Sequence, residues 1–164
     1  DDWTNELHVD NFVWLKNVYK KLNNGILLII DYSLEIKKYY SPNKFEGNII
    51  AYQNQSATND ILKNAGDTDL TSHLCNEILI LDAKMAGFKF NGIVKQGEAL
   101  LALGLAEMIF DIQSKYKNDI SEALLKREAL LRLVDPLCLG DFKWFVFQKA
   151  SKKEVNFKSK IFIN

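Results

Sequence analysis

Gly25-Ile-Leu-Leu-Ile-Ile-Asp31 is the stretch on which the fold class turns. It is short, continuously apolar and rich in β-branched residues, with Asn23 and Asn24 before it and a carboxylate at its end. It does not alternate between apolar and polar residues. A strand of this kind is expected to be buried on both faces, as in the middle of a parallel sheet. Such a strand expects a neighbour on each side. It is also far too short to cross a bilayer.

Working outward, residues 10–22 read as an amphipathic helix with Val13, Leu15, Val18, Tyr19 and Leu22 on its apolar face. Asp10 is the expected N-cap, and Asn23, Asn24 and Gly25 the stop. Helix, tight turn and apolar strand make half of a βαβ unit. Downstream, Asn48–Gln53 reads as a short strand and residues 53–69 as a polar surface excursion. Thr71–Ala86 reads as a helix with Leu74, Ile78, Leu81 and Met85 on one stripe, capped by Asp69 or Thr71 and stopped by Gly87. Phe88–Val94 reads as a strand with a bulge or close approach at Gly92. Residues 97–115 and 118–134 read as two or three helices, the latter stretch stopped by Pro136, and Phe142–Phe147 as the last strand.

The order helix, strand, insert, helix, strand, helical insert, strand is that of an α/β protein with few strands of its own. Residues 1–150 are read as one α/β domain with a helical insert over about 97–135, and 151–164 as a basic tail in which Glu154 is the one acidic residue. A sheet this small, containing a strand that wants two neighbours, points to sheet strands outside this chain. The start at Asp1-Asp-Trp3 rather than Met agrees with an excised or processed piece. An edge left open could instead pair with a second copy.

Composition narrows the function. Twenty-one basic and 21 acidic residues cancel, so there is no global attraction to nucleic acid or to an anionic membrane. Cys75 and Cys138 have no partners at metal spacing and suit small buried roles in a reducing compartment. With only His8 and His73, neither beside a nucleophile motif, there is no Ser-His-Asp or Cys-His arrangement and no metal site to propose.

Four segments carry a resemblance: Gly25-Ile-Leu-Leu-Ile-Ile-Asp-Tyr32, Gly47-Asn-Ile-Ile-Ala-Tyr-Gln-Asn-Gln55, Gly66-Asp-Thr-Asp-Leu-Thr-Ser-His73 and Lys95-Gln-Gly-Glu-Ala-Leu-Leu-Ala-Leu-Gly104. Gly140-Asp-Phe-Lys143 closes the set. In this order the chain resembles the MidA-like family of S-adenosylmethionine-dependent methyltransferases over roughly residues 20–148. Mitochondrial members of that family methylate an arginine of a respiratory complex I subunit. The pattern is altered at Ser33 (usually glycine), Asn48 (threonine), Gln55 (histidine) and Asn76 (aspartate).

The resemblance implies the C-terminal half of a class I, Rossmann-like sheet: the fifth strand at 25–31, the sixth at 88–94 and the antiparallel seventh at 142–147. It implies S-adenosylmethionine as cofactor of the whole protein and a protein substrate, in the cytoplasm of a bacterium or a mitochondrion. The cofactor's glycine-rich turn would belong to the other half. Here no two glycines are separated by a single residue, so cofactor binding is not expected of this chain alone.

The candidate catalytic residues are Asp31, Tyr32 and His73, and the candidate substrate-binding residues Asp69, Thr71, Gln96 and Glu98. Asp31 at a strand's carboxyl end suits a carboxylate that grips a guanidinium bidentately, or a turn cap. His73 suits orientation or deprotonation of a polar substrate group, or a surface position. Asp69 and Thr71 are explained by helix capping as well as by substrate contact. Gln96 and Glu98 either line a cleft or cap the following helix. The competing reading is a non-enzymatic interaction module, with the insert helices as the binding surface.

Overall fold

In the computed structural model the segment at 25–31 is a strand, but not the doubly buried one. The structure describes residues 3–54 and 56–150; Gln55 and the basic tail lie outside the described residues. In chain order the elements are α1 (Asn11–Lys21), β1 (Gly25–Asp31), β2 (Ser33–Leu34), α2 (Ile36–Tyr39), β3 (Ile50–Gln53), β4 (Ser56–Thr58), β5 (Asp69–Thr71), β6 (Leu74–Cys75), α3 (Asn76–Ala86), β7 (Lys89–Lys95), α4 (Gln96–Ala102), α5 (Leu105–Lys115), α6 (Ile120–Val134) and β8 (Lys143–Lys149). They fall into two units. One comprises the chain up to Leu22 and Tyr32–Phe88; the other comprises Asn23–Asp31 and the chain from Lys89 onward.

The second unit is organised around a three-stranded sheet of order β1-β8-β7, in which β8 is antiparallel to both neighbours. β1 and β7 therefore run parallel to each other with the last strand inserted between them. β8 is the strand with company on both sides: Trp144, Phe145, Val146, Phe147 and Gln148 are all buried. Phe147 packs on Phe90 at 5.6 Å and lies parallel to Phe145 at 6.5 Å. β1 alternates instead. Ile26, Leu28 and Ile30 are 37%, 43% and 42% exposed, and among the described residues no strand pairs with its far edge. The expectation of two buried faces is corrected here. A run of aliphatic residues can occupy either face of a strand, and the neighbours decide which faces are covered.

The predicted bulge is present: the β7–β8 register shifts between Phe90 and Gly92. Helices α4, α5 and α6 stand between β7 and β8, as the sequence pattern implies. The insert leaves and rejoins the sheet at one tight junction. The Gln96 and Gly97 N–H groups donate to the carbonyls of Phe142 and Gly140 at 2.8 and 3.0 Å. A Cβ on Gly97 would lie 2.7 Å from the Val134 carbonyl oxygen, and one on Gly140 would collide with the same group. Both glycines are there so that backbone can approach backbone.

The first unit packs α1 against α3 and carries two small sheets, the parallel pair β2-β6 and the antiparallel β4-β3-β5. Several expectations change in it. Asp10 holds the N-cap position of α1 but makes no side-chain capping bond. That helix ends through Leu22 in extended conformation, not through a left-handed asparagine. The 53–69 excursion contains β4 and leads into β5, so Asp69 and Thr71 are strand residues rather than helix caps. Helix α3 starts at Asn76, which leaves His73 before the helix and not in its first turn. Its buried residues are Leu79, Ala83 and Ala86, whereas Leu81 and Met85 are exposed. Alanines fit where two helices approach closely, and hydrophobicity alone selected the larger residues on the wrong stripe. Gly87 ends α3 at φ 109°, in the expected left-handed conformation. Cys75 is buried, but Cys138 is exposed.

Candidate functional site

The candidate residues divide between the units: Tyr32, Asp69, Thr71 and His73 belong to the first, Asp31, Gln96 and Glu98 to the second. In the first unit the parallel ladder β2-β6 sets Ser33 opposite Leu74, and the Leu74 N–H donates to the Tyr32 carbonyl at 2.9 Å. That pairing brings Tyr32 and His73 together edge to face, with ring centroids 6.3 Å apart and planes at 63°. Two segments of the sequence pattern 41 residues apart, from Tyr32 to His73, thus meet in one place. Asp69 and Thr71 lie one strand away on β5, opposite Tyr52 and Ile50 of β3.

Beside this pair are two unsatisfied groups. Ser33 Oγ and Asn76 Oδ1 are buried without a hydrogen-bond partner among the described residues. An unpaired buried polar atom costs about 1–3 kcal/mol.

Asn48 behaves in the opposite way. It is buried, and its amide donates to Asn5 Oδ1 at 3.0 Å, to the Tyr39 carbonyl at 3.2 Å and to Glu6 Oε2 at 3.3 Å. Lys44 Nζ donates to its Oδ1 at 2.6 Å. The Glu6 carboxylate accepts the backbone N–H groups of Asn48 and Ile49 at 2.8 and 2.9 Å. Gly47, at φ 97°, makes room for it: a Cβ there would strike Glu6 Oε1. Burial alone pushes the Glu6 carboxyl up, but the backbone N–H groups of Asn48 and Ile49 outweigh it and hold the group below the usual carboxylate range. Beneath this network Tyr39 is fully buried, with its hydroxyl 2.9 Å from His8 Nε2, and burial pushes its phenol up to about 12. Sequence reading passed over Glu6 and Tyr39. The available signal was the pair Gly47-Asn48, a left-handed glycine followed by a polar residue that needs buried partners.

In the second unit Asp31 ends β1 directly opposite Lys143 of β8, and Lys143 stands opposite Lys95 of β7. Asp141 bonds Lys95 Nζ at 2.6 Å and lies 3.4 Å from Lys143 Nζ. A row of alternating charge therefore closes the carboxyl end of β1 and β7. The Lys95 ammonium holds the Asp141 carboxyl below its usual range. Gln96 acts as an anchor. Its Nε2 donates to the carbonyls of Leu133 and Leu139 at 3.2 and 3.0 Å, and its Oε1 accepts from Trp144 Nε1 at 3.2 Å. Glu98 is exposed in the first turn of α4, where a carboxylate complements the helix dipole.

The space that a Cβ would fill at Gly47, Gly87, Gly97 and Gly140 is already taken by Glu6, the Tyr19 ring and the backbone around Val134. Among the described residues no cluster of His, Cys, Asp or Glu could hold a metal ion, and no helix is long and apolar enough to cross a membrane.

A three-strand sheet whose final strand runs antiparallel between two parallel ones is consistent with part of a Rossmann-like α/β fold. The chain belongs to the family described as "Putative S-adenosyl-L-methionine-dependent methyltransferase", whose profile matches residues 1–94. Its fold is similar to that of a Burkholderia thailandensis protein described as a "likely methyl transferase" and solved bound to S-adenosyl-homocysteine. The TM-score is 0.78 at 21% identity, over 91% of this chain and 38% of that one. A second Burkholderia thailandensis structure, of an uncharacterized protein in its native form, is similar at TM-score 0.78 and 22% identity, over 90% of this chain and 39% of that one. The chain thus spans well under half the length of either. No curated protein matches it.

Proposed function

We propose that this chain is the substrate-side, C-terminal part of an S-adenosylmethionine-dependent methyltransferase that acts on an arginine of a protein. A respiratory complex I-type subunit is the first acceptor to try, because the sequence pattern resembles the family that modifies one. The observation that carries the reading is β1: a strand whose open edge and exposed Ile26, Leu28 and Ile30 suit further sheet, and whose carboxyl end presents Asp31. The rest of the sheet, with the glycine-rich turn, would hold the cofactor, which supplies an electrophilic methyl group. This chain's own residues would position the acceptor. Asp31 holds the guanidinium bidentately and aligns it for attack. In the other unit, His73, in edge contact with Tyr32, is the candidate group to take the acceptor's proton on its imidazole.

The test uses the complete protein with isotope-labelled S-adenosylmethionine and an arginine-bearing acceptor. Asp31→Asn should lower kcat/KM by about two orders of magnitude, the scale of a lost positioning contact, with circular dichroism and melting unchanged. Activity equal to that of the unaltered protein would remove Asp31 from the reaction. Calorimetry of the present chain alone with S-adenosylmethionine should give no saturable heat, and tight binding there would overturn the division of labour.

One observation favours a non-enzymatic module instead. Asn48 has been absorbed into a wholly structural network, and Ser33 and Asn76 are unsatisfied where the pattern had glycine and aspartate. Absence of cofactor binding by the complete protein would leave that reading standing.

A further inference from the structure

The insert contains a groove that the catalytic reading does not use. Ile112 and Tyr116 line one wall, Ile120, Ala123 and Leu124 the other, and the cavity measures about 240 Å³. The elements α5 and α6 pack against each other as a helical hairpin, yet α6 has no buried residue along its 15 positions. Ile120 and Leu124 are 73% and 59% exposed. A helix of that length with so little cover keeps an apolar stripe available.

The charges around the groove state what would cover it. On α6 the carboxylates are already engaged: Glu122 pairs with Lys126 at 3.2 Å and Glu128 with Arg132 at 2.9 Å. Lys126 also lies over the Tyr116 ring at 4.7 Å. The Asp119 carboxylate caps α6 by accepting the Glu122 N–H at 2.9 Å. Lys117 and Arg127, which line the groove, make no ion pair among the described residues. The result is an apolar slot with two cations that lack counter-charges there. A helix laid between two others inserts one or two large side chains into such a slot.

We propose that the α5–α6 groove docks an amphipathic helical segment of a partner protein, with an aliphatic or aromatic anchor in the slot and flanking carboxylates on Lys117 and Arg127. This inference is independent of the methyltransferase reading.

The experiment is fluorescence anisotropy on the full chain with a labelled model helix of about 18 residues, five turns. Its apolar face is built from Leu and Phe and flanked by Glu. A second probe replaces every Glu by Gln. The Glu probe should bind about tenfold more tightly than the Gln probe at low salt, and the gap should narrow as salt screens the rim charges. The double reversal Lys117→Glu with Arg127→Glu should invert the preference in favour of a Lys-flanked probe, and Leu124→Asp should abolish binding of all three. All three positions are exposed, so the fold should survive; circular dichroism checks that. Equal binding of the Glu and Gln probes, or insensitivity to the double reversal, would overturn the proposal. So would sedimentation showing that the chain self-associates through Leu124, which would assign the groove to a second copy.

Discussion

β1 and β8 are both seven residues long, both rich in aliphatic or aromatic side chains, and hydrogen-bonded to each other throughout. Their surroundings nevertheless differ completely. β8 carries a lysine at each end and a glutamine within, yet its five central residues are buried. β1 is apolar from Ile26 to Ile30, yet every second residue faces outward. Composition indicates that a segment is suited to burial. The number of neighbours it finds helps decide whether it is buried, and among the described residues β8 pairs with two strands where β1 pairs with one.

The contrast can be attacked at both strands. Truncating Phe147→Ala should cost about 3–5 kcal/mol and leave the chain largely unfolded at ambient temperature; urea denaturation followed by tryptophan fluorescence reads this. Gln96→Ala removes three bonds that tie the insert's exit and re-entry to Trp144 of β8. A loss of about 2 kcal/mol is expected, concentrated in exchange protection of the insert amides. Should Gln96→Ala prove harmless, the junction glycines rather than the amide anchor that end of β8.

The same opposition of satisfied and open positions appears among polar groups of the other unit, where Glu6 and Asn48 make several bonds while Ser33 Oγ and Asn76 Oδ1 find no partner among the described residues. Glu6 is held below its unfolded value, so its contribution is complete above the ordinary carboxylate range and is lost as the pH falls through the folded value. Glu6→Gln should lower stability by about 1–2 kcal/mol at neutral pH and flatten that acid limb. Acid titration of both proteins by circular dichroism checks the slope, and identical slopes would show that another carboxylate governs it. The smallest effect is expected at Leu28→Thr, within about 0.5 kcal/mol in this chain because the side chain is already half in water. In the complete protein the same change should cost several times more. Equal costs in both would mean that nothing further packs on β1.

Apolar patterning along the sequence was sufficient to locate α1, the helical stretch that divides into α4 and α5, α6 and the three strands of the larger sheet. The bulge at Gly92 and the stop at Gly87 were legible from residue type, since both depend on local backbone freedom. The region from residue 53 to 75 was not legible. β4, β5 and β6 are two or three residues long, too short for any period to register, and they exist because β3 and β2 offer them edges. Reading Asp69 and Thr71 as caps failed for that reason: a helix start seemed the simplest use of those residue types when the pairing strand was invisible. The Tyr32–His73 contact shares this origin, since only the β2-β6 ladder brings the two together.

Local chemistry thus fixed what each segment of this chain could become, including a carboxylate at the end of an aliphatic strand and glycines where the backbone must turn or crowd. Tertiary structure alone decided that β8 lies between β1 and β7, that Gln96 ties the insert's ends to Trp144, and which stripe of α3 is covered. Propensity and spacing are properties of a few consecutive residues, whereas burial and hydrogen-bond satisfaction depend on partners distant in the chain.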